Sequence, residues 1–282
     1  MKLTIDVINA FTETQFGGNP AAVVITDDWL ADPLMQRIAA QNNLSETAFV
    51  VPLDQPEAGL PSTTQYAIRW FSPITEIDFC GHATLAAAFV LFNRRPPANA
   101  LDSHSAVCPS TLTMHARAVG SLHLQYSGDG TIEMDFPRRD PVVPERVPAA
   151  LMRGLSLPPQ TVLQNAQAYI AVYSSAQEIL EVTQDINQIK QLAPYDVVIT
   201  APGDTTDFVS RYFWPANGTE EDPVTGSIHT GLAPYWAQRL GQSELTAYQA
   251  SLRGGMLYCR VTETRVYISG KAVQYLHGQI II

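Results

Sequence analysis

Leu3, Ile5 and Val7 alternate with polar neighbours at the opening of the chain, the two-residue period of a half-buried strand. AAVVI (21–25) follows the turn Gly17-Gly18-Asn19-Pro20 and reads as a buried strand. Asp32 is the expected cap of a helix with Pro33 at its first position, and Leu34, Met35, Ile38 and Ala39 share one face. TAFVVP (47–52), QYAIRWF (65–71), TLTMHA (111–116) and SLHLQY (121–126) continue the strands around a helix predicted at 82–93. From about 130 the pattern restarts: TIEMDF, AYIAVY, YDVVIT and DFVSRYFW read as strands, a helix is predicted over 225–239, and GMLYCRVT, RVYIS and GQIII close the chain as strands. Many strands around few helices predict an α+β fold rather than a doubly wound sheet. Two domains are expected, 1–129 and 130–282, with the last strand free to return to the first. The proline-rich stretch 137–148 is either a linker or the second domain's first loop.

A repeat supports this division. Arg69-Trp70-Phe71-Ser72-Pro73 reappears as Arg211-Tyr212-Phe213-Trp214-Pro215, 142 positions later, about half the chain. Cys80 and Asp222 each stand eleven residues beyond their arginine. In both copies the order is strand, turn, polar loop and a Gly-containing segment expected to open a helix, Cys80 to Thr84 and Asp222 to Ser227. Helix starts offer unpaired N–H groups and a positive dipole end, so a facing pair would hold a carboxylate without Lys or Arg.

Such a device matters because the chain is acidic, with a formal charge of −10 and only 17 basic residues. Scattered Lys and Arg exclude the electrostatic footprint of a nucleic-acid or anionic-membrane binder. Hydrophobic residues at 46% and charged residues at 16% give a globular profile. Cysteines 80, 108 and 259 form no CxxC pair, which suits a reducing cytoplasm. Asp6 and Asn9 interrupt what a signal peptide would need as its apolar stretch. ATLAAAFVLF (83–92) is about half a membrane span and is stopped by Asn93-Arg94-Arg95.

Four motifs, GGNPAAVV (17–24), NNLSETAFV (42–50), FCGHATLAAA (79–88) and EDPVTGSIHTGLAPYW (221–236), together resemble the phenazine-biosynthesis PhzF-like isomerase family across both halves. The resemblance implies a diaminopimelate epimerase-like fold: two pseudo-repeated domains, each a mixed β-sheet or barrel wrapped around a central helix, with a cleft between them. It also implies cofactor-free proton transfer on a small anionic substrate and a homodimer. Carried over by motif, Glu46 is the acid/base, His82 and Asp222 complete the catalytic set, and Asn19, Gly81, Gly226 and Ser227 hold the substrate.

From position alone, Glu46 reads rather as a loop-capping surface residue, and His82 is equally a structural residue at a helix start. Cys80 falls opposite Asp222 in the repeat, so the cysteine pair of two-base racemases is broken, and Cys80 reads as a packing residue. No third group that would orient a Cys80–His82 dyad is visible. His104, His115, His123, His229 and His277 are scattered, and no metal site is expected. The glycine pairs open neither GxGxxG nor a P-loop, so no nucleotide cofactor is expected. The leading expectation is a proton-shuttling isomerase. The alternatives are a cysteine-dependent epimerase or racemase and a non-catalytic small-molecule-binding protein.

Overall fold

The computed structural model describes residues 1–53, 64–93, 110–217 and 220–282. His104 and Cys108 lie outside the described residues. In chain order the elements are β1 (Lys2–Ala10), β2 (Asn19–Ile25), α1 (Asp32–Asn42), β3 (Glu46–Pro52), β4 (Gln65–Phe71), β5 (Glu76–Ile77), α2 (Gly81–Asn93), β6 (Thr111–Ala116), β7 (Gly120–Tyr126) and β8 (Ile132–Pro137). Then follow α3 (Ala149–Gly154), β9 (Thr161–Gln164), β10 (Ala168–Val172), α4 (Ala176–Glu181), α5 (Ile186–Ile189), β11 (Asp196–Pro202), β12 (Phe208–Phe213), α6 (His229–Leu240), β13 (Glu244–Gln249), β14 (Gly255–Val261), β15 (Arg265–Gly270) and β16 (Ala272–Ile281). The balance is mostly strand, as an α+β fold requires.

These elements form two units, one of Met1–Ala10, Pro20–Met134 and Lys271–Ile282, the other of Phe11–Asn19 and Asp135–Gly270. The main change of unit falls at 134/135. The stretch 137–148 is a loop of the second unit: Arg138 N–H donates to Thr264 O, Arg139 N–H to Thr230 O, and Val142 exchanges both backbone bonds with Gln164.

In the first unit β1 is flanked by β16 and β2, and the order continues β3, β4, β6, β7. The β2–β3 pair is parallel, β3–β4 antiparallel, β4–β6 parallel and β6–β7 antiparallel. Helix α2 is buried from Gly81 to Ala88 and from Val90 to Phe92, as an Ala- and Leu-rich helix apolar on every side must be. It packs on β1, β3 and β16. The second unit repeats the scheme: β10–β11 parallel, β11–β12 antiparallel, β12–β13 parallel, β13–β14 antiparallel. Its helix α6 packs on β13, β14 and β15.

The repeated arginines occupy the equivalent strands β4 and β12 and behave alike. Arg69 forks onto Glu76 at 2.7 Å for both bonds, and Arg211 forks onto Glu221 at 2.8 and 2.9 Å. Each guanidinium also lies over the phenylalanine two residues on, 5.2 Å from Phe71 and 5.1 Å from Phe213.

Two expected helix starts move. Asp32 is the first residue of α1 and not its cap; Ala31 takes that place, and the Asp32 carboxylate instead accepts from Arg69 at 2.7 Å. Helix α6 begins at His229 rather than 225; residues 226–228 form turns, and the Thr225 N–H donates to the Gln249 side chain at 2.8 Å. Helices α3, α4 and α5 have six, six and four residues, too few for a 3.6-residue period to register in the sequence. Among the described residues no helix is long and apolar enough to cross a membrane.

Candidate active site

In the first unit three chemical groups meet below the surface. Glu46 opens β3, where its backbone pairs with Ala21 of β2, and its side chain is 1% exposed. His82 is the second residue of α2, 4% exposed, and its Nε2 lies 2.9 Å from Glu46 Oε2. That oxygen makes no aligned hydrogen bond among the described residues, so the pair is a close contact between a carboxylate and an imidazole. Cys80, just before the helix, sets its Sγ 3.3 Å from His82 Nδ1 and 3.8 Å from Nε2. Its own carbonyl accepts from Thr84 N–H and from the Thr84 hydroxyl at 2.6 Å, which ties down the first turn of α2. The N–H groups of Gly81 and Ala83 donate to no acceptor among the described residues.

Two sequence expectations change here. His82 does have a third group beside it, Glu46, 34 residues before Cys80, because α2 packs on β3. For the same reason Glu46 is no surface loop residue.

In the second unit Asp222 is the centre of a buried network. Its Oδ1 accepts from Asn19 Nδ2 at 2.8 Å and its Oδ2 from the Thr225 hydroxyl at 2.5 Å. Asn19 Nδ2 also donates to Val224 O at 3.0 Å. Gln249 closes the ring from β13: its Nε2 donates to Asp222 O at 2.8 Å while its Oε1 accepts from Thr225 N–H. Asn19 and Gln249 therefore fix the 222–225 loop, a positioning task for Asn19 alongside its expected substrate contact. Gln249 was legible in hindsight, as a polar residue on the inward period-two face of Leu245 and Ala247.

Ser227 is held by a second chain of bonds. Gln167 Nε2 donates to Ser227 Oγ and to Tyr212 Oη, both at 2.9 Å, and the Tyr212 hydroxyl donates to Asp196 at 2.6 Å. Burial raises the Asp196 carboxyl to about 6, against the lowering effect of the Tyr212 bond. With Gln167 donating to its oxygen, the Ser227 hydroxyl hydrogen is left to aim elsewhere. The N–H groups of Gly226 and Ser227 donate to no acceptor among the described residues. His229 is a structural residue: its Nδ1 donates to Thr225 O at 2.9 Å, and burial depresses it to about 4, so it stays neutral. Gln167 sits in a loop and carried no sequence signal.

A duplicated strand scheme around buried helices, with a carboxylate–imidazole pair in one copy, defines a class of isomerases and epimerases built from two related halves. The profile of the phenazine biosynthesis-like protein family matches residues 8–278, and the chain belongs to this family. It is 43% identical to an uncharacterised isomerase of Pseudomonas aeruginosa over 280 residues, 99% of each chain. It is similar to the crystal structure of a PhzF-family protein of Enterococcus faecalis, with a TM-score of 0.87, 38% identity and complete coverage of both chains. A predicted epimerase of Pseudomonas aeruginosa shares the fold at a TM-score of 0.74 and 19% identity over 99% of each chain. The chain is an enzyme of the isomerase type.

Proposed function

We propose that this isomerase shuttles a proton on a small, carboxylate-bearing substrate without a cofactor, with Glu46 as the carrier. The supporting observation is the buried contact between Glu46 Oε2 and His82 Nε2 at 2.9 Å. The Glu46 carboxylate takes a proton from carbon, becoming a carboxylic acid, and returns it to another carbon of the same molecule; nothing is gained or lost overall. His82 lies within reach to receive that proton and pass it on, and Asp222 serves as the third member of the catalytic set. Asn19, Gly81, Gly226 and Ser227 hold the substrate, with N–H groups at 81–83 and 226–227 as donors to its carboxylate. Engagement of both segments by one substrate, bound between the two halves, is part of the proposal and rests on the repeat and the family. So do the homodimer, which light scattering on the eluting species tests, and the cytoplasmic location.

The test is solvent deuterium uptake by a panel of small carboxylates, read by mass and NMR. With the substrate found, Glu46→Gln keeps shape and lowers turnover by roughly two to four orders of magnitude, the usual worth of general acid/base catalysis. Near-normal turnover by that variant would overturn the proposal. The contact of Cys80 with His82 favours one second reading, a thiol-dependent epimerase. Cys80→Ser decides between the two: on the leading reading it keeps most of its turnover, on the second it loses it.

A further inference from the structure

We propose that Glu46, Cys80 and His82 form a binding site for a thiophilic divalent cation, zinc above all, whose occupation blocks the proton carrier. One donor atom from each residue lies within 4.8 Å of the other two, and all three residues are buried. The atoms are a carboxylate oxygen, a thiol sulfur and an imidazole nitrogen, the three donor types that zinc accepts. Two of the three edges are close to those of a tetrahedral site, and the third, Cys80 Sγ to a Glu46 oxygen, is within 4.8 Å. With Zn–S near 2.3 Å and Zn–N and Zn–O near 2.0 Å, the S···N and N···O edges should be about 3.6 and about 3.3 Å. The protein provides 3.8 Å from Cys80 Sγ to His82 Nε2 and 2.9 Å from Nε2 to Glu46 Oε2. Shifts of a few tenths of an ångström bring these two edges to the ideal, closure of the third falls to the side chains of Cys80 and Glu46, and the unaligned Glu46 oxygen sacrifices no hydrogen bond in moving.

Charge selects the ion. Zinc binding releases the Cys80 thiol proton to solvent and forms a Zn–thiolate bond; with Glu46 ionised, two anionic ligands and one neutral imidazole leave the buried centre electrically neutral. Calcium and magnesium, which seek six or more oxygen ligands, find a single carboxylate. Glu46 stands at the first residue of β3, His82 in the first turn of α2 and Cys80 just before it, where the backbone of these elements holds them in place. Three protein ligands leave a fourth position for water or a substrate atom. The inhibitory half of the proposal rests on Glu46 as proton carrier: whatever opening admits a substrate to Glu46 admits a cation, and a metal-bound carboxylate cannot take a proton.

The experiment uses the tag-free, chelator-stripped full chain and zinc itself, titrated against a chelating dye. Cobalt serves as the spectroscopic probe for thiolate-to-metal charge transfer. Expected are one zinc per chain, a charge-transfer band with cobalt, and no displacement by excess calcium or magnesium. Cys80→Ser, Cys80→Ala and Glu46→Gln each weaken binding by more than the roughly 10–100-fold that loss of an outer-shell partner costs. Cys108→Ser and Cys259→Ser keep it. Circular dichroism checks that each variant is folded, and the two Cys80 replacements guard against failure of one. Absence of stoichiometric binding, or wild-type affinity in either folded Cys80 variant, overturns the site. Deuterium exchange separates the two readings. A zinc-saturated enzyme that still exchanges overturns the inhibition and, with it, the role of Glu46. An enzyme that binds no zinc but is inactivated by Glu46→Gln overturns the metal site alone.

Discussion

Single residues in this protein are settled by the neighbours that burial brings to them. Glu46 and Cys80 were both visible in the sequence as residue types able to do chemistry, but position along the chain favoured bland readings of each. Their contact with His82 arises only because α2 packs on β3, and because Cys80 and His82 flank the first residue of α2. Asp196 carries a prediction of its own. Its folded-state carboxyl titrates near 6 because burial penalises the charged form, above the ordinary carboxylate value of about 3.9. The sign follows from linkage: the folded state holds the proton more tightly, so this group favours folding below about pH 4 and that contribution is lost as pH rises to about 6. Asp196→Asn cannot ionise and still accepts from Tyr212. Its urea midpoint should match wild type near pH 4, pull ahead between pH 4 and 6, and keep a constant lead above; a difference independent of pH would disprove the assignment.

Elements were easier to foresee than their ends. Most strands of both halves and the two core helices follow from hydrophobic period alone, whereas β5, β9 and β13 and the start of α6 at His229 do not. A close approach inside α6 gives the test at this scale. A Cβ on Gly231 would meet Asn165 Nδ2 at 2.6 Å and Arg139 O at 3.0 Å. Asn165 cannot swing away freely, since its Oδ1 accepts from the N–H groups of Gln167 and Ala168 at 2.9 Å. Gly231→Ala gains about 1 kcal/mol of helix propensity but incurs about 1–3 kcal/mol of overpacking. A net loss of about 1 kcal/mol in denaturant unfolding is expected, together with disturbance of the Gln167–Ser227 bond; a stabilised variant would show that the loop yields.

On the scale of the whole chain, the first unit is completed by its most distant segment. β16 pairs antiparallel with β1 over nine positions, from Lys2 with Ile281 to Ala10 with Ala272, and Ile280 packs on the cluster of Leu3, Ile5 and Phe49. A chain ended at Gly270 loses that ladder. At about 0.5–1.5 kcal/mol net per hydrogen bond the loss amounts to several kcal/mol, or about 10 °C or more in melting temperature for a unit of this size. Calorimetry should show the transition lowered or absent, and an unchanged melting temperature would mean that β16 carries no share of the fold.

By itself the sequence determined the α+β class, the duplication and the family, because hydrophobic period and short motifs are local and survive in one dimension. It determined the chemistry available too, since residue types are written in it. Tertiary structure alone decided which of those groups meet: Glu46 with His82 and Cys80, Asp222 with Asn19 across 203 positions, and Gln249 with Thr225. These contacts are made where tertiary packing closes long loops, and no local period along the chain encodes the partner of a long-range hydrogen bond.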